Sequence, residues 1–306
     1  MRIMKVAAQC DFYFQRYGLE KGLTYLKDLG YQNLVYTITG RYDQSFTTQW
    51  TDKDLEEYYS PIRKAVEESK MNMLFAILGT DIYLDDLAHT ADARRKMCVQ
   101  AVKAAAYAGC KVLGVRPAIL VQTIPDFQDK SKEISCKIFD EMKVVADEVG
   151  ITLAFVNGTT IQGFSYGNHC YGSSVDELLE LANQYDGKII IDPVTAEHAK
   201  ENVQELIVGA GDKLIGILLN DMEKATRLPV IPTTGCINYP EISRSLKGAY
   251  KEAALVTMHT PIFKKYGDFI HNEGLVATLS HLLWKITDVI LNIWETYHGG
   301  VDVFAW

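Results

Sequence analysis

Eight short apolar runs, each followed by a stretch with helical character, constrain this 306-residue chain more than any single motif does. The runs are Ile3–Gln9, Asn33–Ile38, Asn72–Leu78, Lys111–Arg116, Ile151–Val156, Lys188–Asp192, Leu214–Asn220 and Ala253–Met258. Helical periodicity covers Leu19–Leu29, Thr51 to Lys70, Ala91–Ala108, Ser131–Val149, Pro240–Leu246 and Leu275–Thr296, with a further helix opening at Ser174. The boundaries carry their own signals. Thr51-Asp52-Lys53-Asp54 is an N-cap region, Ser174-Val175-Asp176-Glu177 a capping box, and Gly109 and Gly150 are helix terminators. Strands joined by crossover helices pair in parallel, and eight such units close into a barrel. The alternative, a doubly wound open sheet, calls for a glycine-rich phosphate turn after the first strand, and Gln9–Phe14 has none. No Pro/Gly/Ser-rich linker interrupts the alternation. The expected architecture is therefore α/β, a single (β/α)8 TIM barrel over 1–306, with an apolar C-terminal helix and tail at 275–306.

Composition narrows the function classes. The net charge of −8 disfavours nucleic acid and anionic membranes as partners, because a phosphate surface needs a basic face. No window reads as a bilayer span, and MRIMKVAAQCDFYF lacks the apolar run of a secretory signal. The cysteines Cys10, Cys98, Cys110, Cys136, Cys170 and Cys236 show no CxxC spacing, which reads as reduced thiols in a cytoplasmic protein. The tail Gly299-Gly300-Val301-Asp302-Val303-Phe304-Ala305-Trp306 is apolar for a chain end. It packs either on its own barrel or on another subunit, so a homo-oligomer is one expectation.

In such barrels chemistry sits at the C-terminal ends of the strands. The residues delivered there are Gln9, Cys10 and Asp11; Tyr36 and Thr37; Gly79-Thr80-Asp81; Arg116; Asn157; Asp192; Asn220-Asp221; and Thr257-Met258-His259. His169 lies in a long Gly- and Tyr-rich loop, 163–172, over the same end. His198, past Asp192, reads as a non-catalytic surface residue on the next helix. A rim of one arginine, several carboxylates, amides and a histidine suits a small polyhydroxylated or carboxylated ligand. Each residue also has a plain structural reading: helix N-cap for Asp81, Asp192 and Asp221, a salt bridge for Arg116, an exposed loop position for His169.

Four segments resemble the xylose isomerase-like family of sugar phosphate isomerases and epimerases. These are Gly30-Tyr31-Gln32-Asn33-Leu34-Val35, Tyr83-Leu84-Asp85-Asp86-Leu87-Ala88, Leu218-Leu219-Asn220-Asp221 and Gly235-Cys236-Ile237-Asn238-Tyr239-Pro240. The resemblance implies a divalent metal held by Glu, Asp, His and Glu on strands five to eight, which acidifies a C–H beside a carbonyl. At those positions this chain has Val156, Asp192, Leu218 and about Thr257, with Val35 for a second-strand Glu and Thr195 for a further His. One carboxylate does not hold a divalent ion. Either the site is rebuilt, with Asp192 and His259 meeting by strand alternation and His169 closing in, or the protein works without metal.

The expected function is proton abstraction beside a carbonyl of a small sugar, keto-sugar or cyclitol, leading to isomerisation, epimerisation or β-elimination without a cofactor. Asp192, His259 or Asp81 would be the base. Arg116 would bind a carboxylate or steady an enolate. Tyr36, Asn157, His169, Asn220 and Asp221 would bind substrate. The alternative is a non-catalytic sugar-binding or partner subunit on the same fold.

Overall fold

The computed structural model describes residues 5–38, 50–79, 83–84, 90–120, 126–158, 171–226, 229–246, 253–259 and 273–298. In chain order the elements are β1 (Lys5–Gln9), α1 (Asp11–Tyr17), α2 (Leu19–Leu29), β2 (Asn33–Ile38), α3 (Asp52–Ser69), β3 (Asn72–Leu78), β4 (Tyr83–Leu84), α4 (Thr90–Tyr107), β5 (Val112–Val115), β6 (Ile119–Leu120) and α5 (Phe127–Val149). There follow β7 (Thr152–Val156), α6 (Val175–Gln184), β8 (Lys188–Ile191), α7 (Pro193–Ala199), α8 (Val203–Ala210), β9 (Leu214–Leu219), β10 (Asp221–Met222), β11 (Pro229–Val230), α9 (Tyr239–Ser245), β12 (Ala254–Thr257) and α10 (Glu273–His298). Eight strands close in the order β1-β12-β9-β8-β7-β5-β3-β2, each pair parallel. This is a single (β/α)8 barrel.

Local chemistry explains the helix boundaries. Thr51 and Asp54 form a reciprocal capping box on α3, and Ser174 and Glu177 form one on α6. Gly30 and Gly150 take the left-handed conformation that closes α2 and α5. The elements that escaped the sequence pattern are α1, which starts immediately after β1 with no side-chain cap, α8, and the short strand pairs β4–β6 and β10–β11.

Strand alternation sorts the core into two layers. The barrel interior holds Ala7, Val35, Phe75, Ile77, Ala154, Val156, Ile190, Leu218, Ala254, Val256 and Met258. Gly114 and Gly216 lie in the same layer. A Cβ on Gly114 would come within 2.9 Å of Ile190 Cδ1, and one on Gly216 within 2.9 Å of the Phe75 ring. These two glycines leave room for the large side chains opposite them, so the interior is a filled core.

The larger layer, between sheet and helices, includes Tyr36, whose ring centroid lies 6.2 Å from Phe14 and 6.1 Å from Tyr59. Its C-terminal closure is aromatic and polar. Tyr13 donates to Ser280 Oγ at 2.8 Å, Tyr31 meets Trp284 edge-on, and Thr257 and Thr287 share a 2.8 Å hydrogen bond. Contrary to the sequence expectation, α10 carries one stretch, Glu273–Leu291, that is long and apolar enough to cross a membrane by length and composition. Val276, Ser280, Leu283, Thr287 and Ile290 of that stretch are buried in the protein, while Leu275, Leu282 and Val289 remain exposed at seven-residue spacing. The tail after His298 lies outside the described residues.

Candidate functional site

One polar network ties together the C-terminal ends of β5, β7 and β8. Arg116, one residue past β5, donates from Nη2 to Asp192 Oδ2 at 2.6 Å. Its Nη1 donates to Asn157 O at 2.8 Å and to Thr195 Oγ1 at 3.2 Å. Asn157 and Asp192 then exchange two bonds. Asn157 Nδ2 donates to Asp192 O at 3.0 Å, and Asp192 N donates to Asn157 Oδ1 at 2.6 Å. The remaining oxygen of Asp192 caps α7 by accepting from Val194 N and Thr195 N at 3.1 and 3.3 Å. Asp192-Pro193 is the local sequence cause, an acceptor at N-cap followed by a proline at the first helical position. The pair is largely out of water, with Arg116 and Asp192 side chains 13% and 7% exposed. Burial pushes the Asp192 carboxyl upward. The charge and hydrogen bond of Arg116, with the bonds from Thr195, outweigh it and hold the group below the usual carboxylate range.

Other groups continue the inward files of the neighbouring strands. Gln9 ends β1 and donates from Nε2 to Thr37 Oγ1 of β2 at 2.7 Å. Both lie on the face of Ala7 and Val35. Asn220 follows Gly216 and Leu218 at the end of β9. Its N–H turns back to Leu218 O at 3.0 Å, and its own carbonyl accepts from the Tyr239 hydroxyl. The Asn220 side chain is buried, and its Oδ1 has no hydrogen-bond partner among the described residues.

The sequence-predicted residues divide accordingly. Arg116, Asn157 and Asp192 are brought together, and Asn220 stands at the same end of the barrel. Asp81 and His169 lie outside the described residues. Three expectations need correction. Tyr36 was expected to face the ligand, but alternation turns it outward against Phe14 and Tyr59, and Thr37 takes the inward place. His259 was expected to meet Asp192. It continues the outward file of Thr257 instead, with Nδ1 3.2 Å from Gln9 O and its ring edge-on to Tyr13 and Tyr31. Burial lowers its pKa to about 4, partly offset by the bond to Gln9. Asp221 was expected to bind substrate, yet both its carboxylate oxygens accept from its own loop. Oδ1 accepts from Met222 N at 2.7 Å and Ile237 N at 3.0 Å, and Oδ2 from Gly235 N at 2.9 Å. His198 also departs from the surface role expected of it, because α7 buries it.

The Asp221 latch makes a sharp demand on Gly235. A Cβ there would collide with Asp221 Oδ1 and Met222 O. Gly235→Ala is expected to destabilise the protein by about 1–3 kcal/mol, an overpacking cost. Urea unfolding measures it, and an unchanged midpoint would show that the latch can shift freely.

The metal chemistry associated with this fold does not fit the described residues. The inward strand-end positions are Val35, Val156 and Leu218, and Asp192 is already engaged by a guanidinium and two backbone amides. The fourth position corrects to Val256 or Met258, because Thr257 points outward to Thr287. Among the described residues no group of three His, Cys, Asp or Glu side chains converges on one point. A divalent ion wants several oxygen or nitrogen ligands, and valine and leucine supply none.

No protein-family model matches the chain, and no curated protein matches it by sequence. Solved structures do match by shape. An L-ribulose 3-epimerase superposes with a TM-score of 0.66 at 11% identity, covering 100% of both chains. The 3-keto-D-glucoside 4-epimerase of E. coli superposes at 0.61 and 15% identity, covering 88% of this chain and 98% of its own. The IolI protein with a bound zinc atom superposes at 0.63 and 15% identity, covering 95% and 99%. At these identities the likeness speaks for architecture. The closed eight-stranded barrel superposes over nearly its full length on these proteins, so the chain shares their (β/α)8 TIM-barrel fold.

Proposed function

We propose that the protein acts on a small sugar, keto-sugar or cyclitol at the C-terminal mouth of the barrel, by proton transfer beside a carbonyl and without the divalent ion usual for this fold. The observation that carries this reading is the Arg116–Asn157–Asp192–Thr195 network, a fixed cation placed at the strand ends where such barrels do their chemistry. In the proposed step a base takes the proton from the carbon next to the carbonyl. The electron pair moves onto the carbonyl oxygen, and Arg116 steadies the enolate that forms. Return of the proton to the former carbonyl carbon, with the adjacent hydroxyl proton passing to the former carbonyl oxygen, gives an isomer, and return to the opposite face of the original carbon gives an epimer. Asp192 is a poor base, since its carboxylate is consumed by Arg116 and by α7. His259 points away. Asp81 and His169 remain the candidates for that role, with Asn157 and Asn220 orienting hydroxyls.

A second reading has its own support. Asp192 and Asp221 are both hydrogen-bonded internally, and His259 faces the outer layer, so three of the carboxylate and imidazole groups expected at the mouth are engaged elsewhere. A sugar-binding protein without turnover would look the same there. Solvent hydrogen exchange separates the two readings. The purified protein, treated with chelator, is incubated in deuterated water with a panel of ketoses and keto-cyclitols. The enzymatic reading expects deuterium at the carbon beside the carbonyl of at least one compound, at a rate chelator leaves unchanged. Tight binding of a compound with no exchange in any would establish the binding protein, and loss of exchange on chelation would restore a metal.

A further inference from the structure

We infer that Cys136 is an oxidation site, a thiol that hydrogen peroxide converts to a sulfenic acid whose new oxygen is held by the Tyr171 hydroxyl. The site lies between α5 and α6 in the helical layer and is independent of what the barrel mouth binds.

The first observation is an unpaired donor. Buried polar atoms in folded proteins nearly always have partners, because an unpaired one forfeits its hydration without return. Tyr171 is 3% exposed, and its hydroxyl makes no hydrogen bond among the described residues. The side chain that this hydroxyl meets is Cys136 of α5. The backbone fixes it there. Gly172 N donates to Glu177 Oε2 at 3.0 Å, Gly158 N donates to Gly172 O at 2.7 Å, and Gly172 sits against the Pro117 ring. Folding gains nothing from the hydroxyl, since a phenylalanine fills the same space with no polar atom to pair. A thiol sulfur is a weak acceptor, and a sulfenic oxygen added to it gives the hydroxyl a better one.

The surroundings favour the anionic sulfur that reacts. Lys132 stands one helical turn before Cys136, with its ammonium 5.4 Å from the centre of the Tyr171 ring. Hydrogen bonds to Glu180 at 2.8 and 3.1 Å raise the Lys132 pKa first, and the charge of Cys136 adds to the effect, so a cation lies within electrostatic reach of the sulfur. Burial pushes the Tyr171 hydroxyl upward, with Cys136 and the carboxylates of Glu180 and Glu177 adding to it, so it keeps its proton and can donate. The Tyr185 hydroxyl also borders Cys136, but it has Asp140 Oδ1 as an acceptor at 3.0 Å. Three carboxylates oppose a thiolate here. Glu180 is paired with Lys132, Asp140 with Tyr185, and Glu177 caps α6.

The other described cysteines lack this setting. Cys10, Cys98 and Cys110 are buried, and burial drives the thiols of Cys10 and Cys110 upward, the latter to about 12. The half-buried Cys236 is pushed up by burial and by Glu197 and Asp221 beside it. Reactive thiols sit partly exposed beside a cation, and Cys136, half-buried next to Lys132, meets both conditions. In the proposed step Cys136 gives up its proton and the sulfur attacks one oxygen of the peroxide. The S–O bond forms as the O–O bond breaks, and the departing hydroxide takes up the proton and leaves as water. Sulfur is oxidised by two electrons and the peroxide is reduced by two.

The test treats the full chain with hydrogen peroxide, traps sulfenic acid with dimedone and locates the adduct by mass spectrometry. Cys136 is expected to be labelled at least about fivefold faster than any other cysteine. Tyr171→Phe keeps the ring over Lys132. It is expected to melt at the wild-type temperature or above, and to retain no more than about a third of the trapped sulfenic acid, with sulfinic acid in its place. Lys132→Met should slow iodoacetamide alkylation of Cys136 by about threefold or more at pH 7, and Lys132→Arg, which keeps the charge, should restore it. First labelling at another cysteine, or no adduct at all, would overturn the inference. Equal trapping in wild type and Tyr171→Phe, or equal alkylation in wild type and Lys132→Met, would show that exposure alone governs Cys136 and would overturn it as well. So would a lowered melting temperature in Tyr171→Phe, since the hydroxyl would then already serve the fold.

Discussion

Arg116→Met is expected to destabilise the protein by about 3–5 kcal/mol at neutral pH, because it leaves a buried carboxylate without its countercharge. Asp192 is 5% exposed, and Oδ2 has Arg116 as its partner at 2.6 Å. The loss should be largely recoverable. In Arg116→Met with Asp192→Asn the charge is gone, while the asparagine oxygen can still accept from Val194 N and Thr195 N and preserve the cap on α7. The double variant is expected within about 1–2 kcal/mol of wild type, since a removed pair costs far less than a broken one. The pH dependence has a definite sign. In wild type the Asp192 pKa lies below its unfolded value, so the pair contributes fully above that value and its contribution fades as pH falls through the folded one. In Arg116→Met burial is opposed only by the bonds from Thr195, so the carboxyl pKa rises, protonation then relieves the variant, and the gap to wild type narrows on acidification. Urea midpoints at pH 7 and pH 4.5 measure both effects. A single-variant cost below about 1 kcal/mol would contradict the account.

The same residues show how far sequence carries. Each of the eight barrel strands was legible, because a parallel barrel writes itself as short apolar runs punctuated by caps such as Thr51-Asp54 and Ser174-Glu177. What was not legible was which residue of each strand end faces inward. A one-residue difference in register exchanges the two faces of a strand. Alternation from Val35 assigns Thr37 to the mouth and Tyr36 to the helices. Applied to β12, it puts Val256 and Met258 inside and Thr257 and His259 outside. Gln9 was visible at the end of β1, but its pairing with Thr37 requires the β1–β2 register. The Arg116–Asp192 pair joins residues 76 apart along the chain, and only barrel closure makes them neighbours. The metal positions show the opposite case. Val35, Val156 and Leu218 could be named from resemblance alone, and the barrel turns those three inward, where their side chains complete an apolar core.

His259 carries the second large effect, expressed in stability. A buried neutral histidine makes folding oppose protonation. Its pKa falls from 6.5 to about 4, through burial first, with the bond at Gln9 O restoring part of the loss. Between these values the unfolded chain binds a proton that the folded protein refuses, so stability must decline as pH drops from about 6.5 to about 4 and level off below. The full swing from this one group is on the order of 3 kcal/mol. The flanking rings cannot blunt it, since burial drives the Tyr13 and Tyr31 hydroxyls upward and away from this window. Asp192 acts below it, because its depressed carboxyl titrates at lower pH than His259. The two contributions therefore separate along the pH axis. In His259→Asn the ring contacts to Tyr13 and Tyr31 are lost, so the variant starts from lower stability at pH 7. Its urea midpoint should then be nearly flat from pH 6.5 to pH 4.5, where the wild-type midpoint falls. Parallel slopes in the two proteins would mean that His259 is already solvated or charged in the folded state, and that the seam between β1, β12 and α10 is open to water.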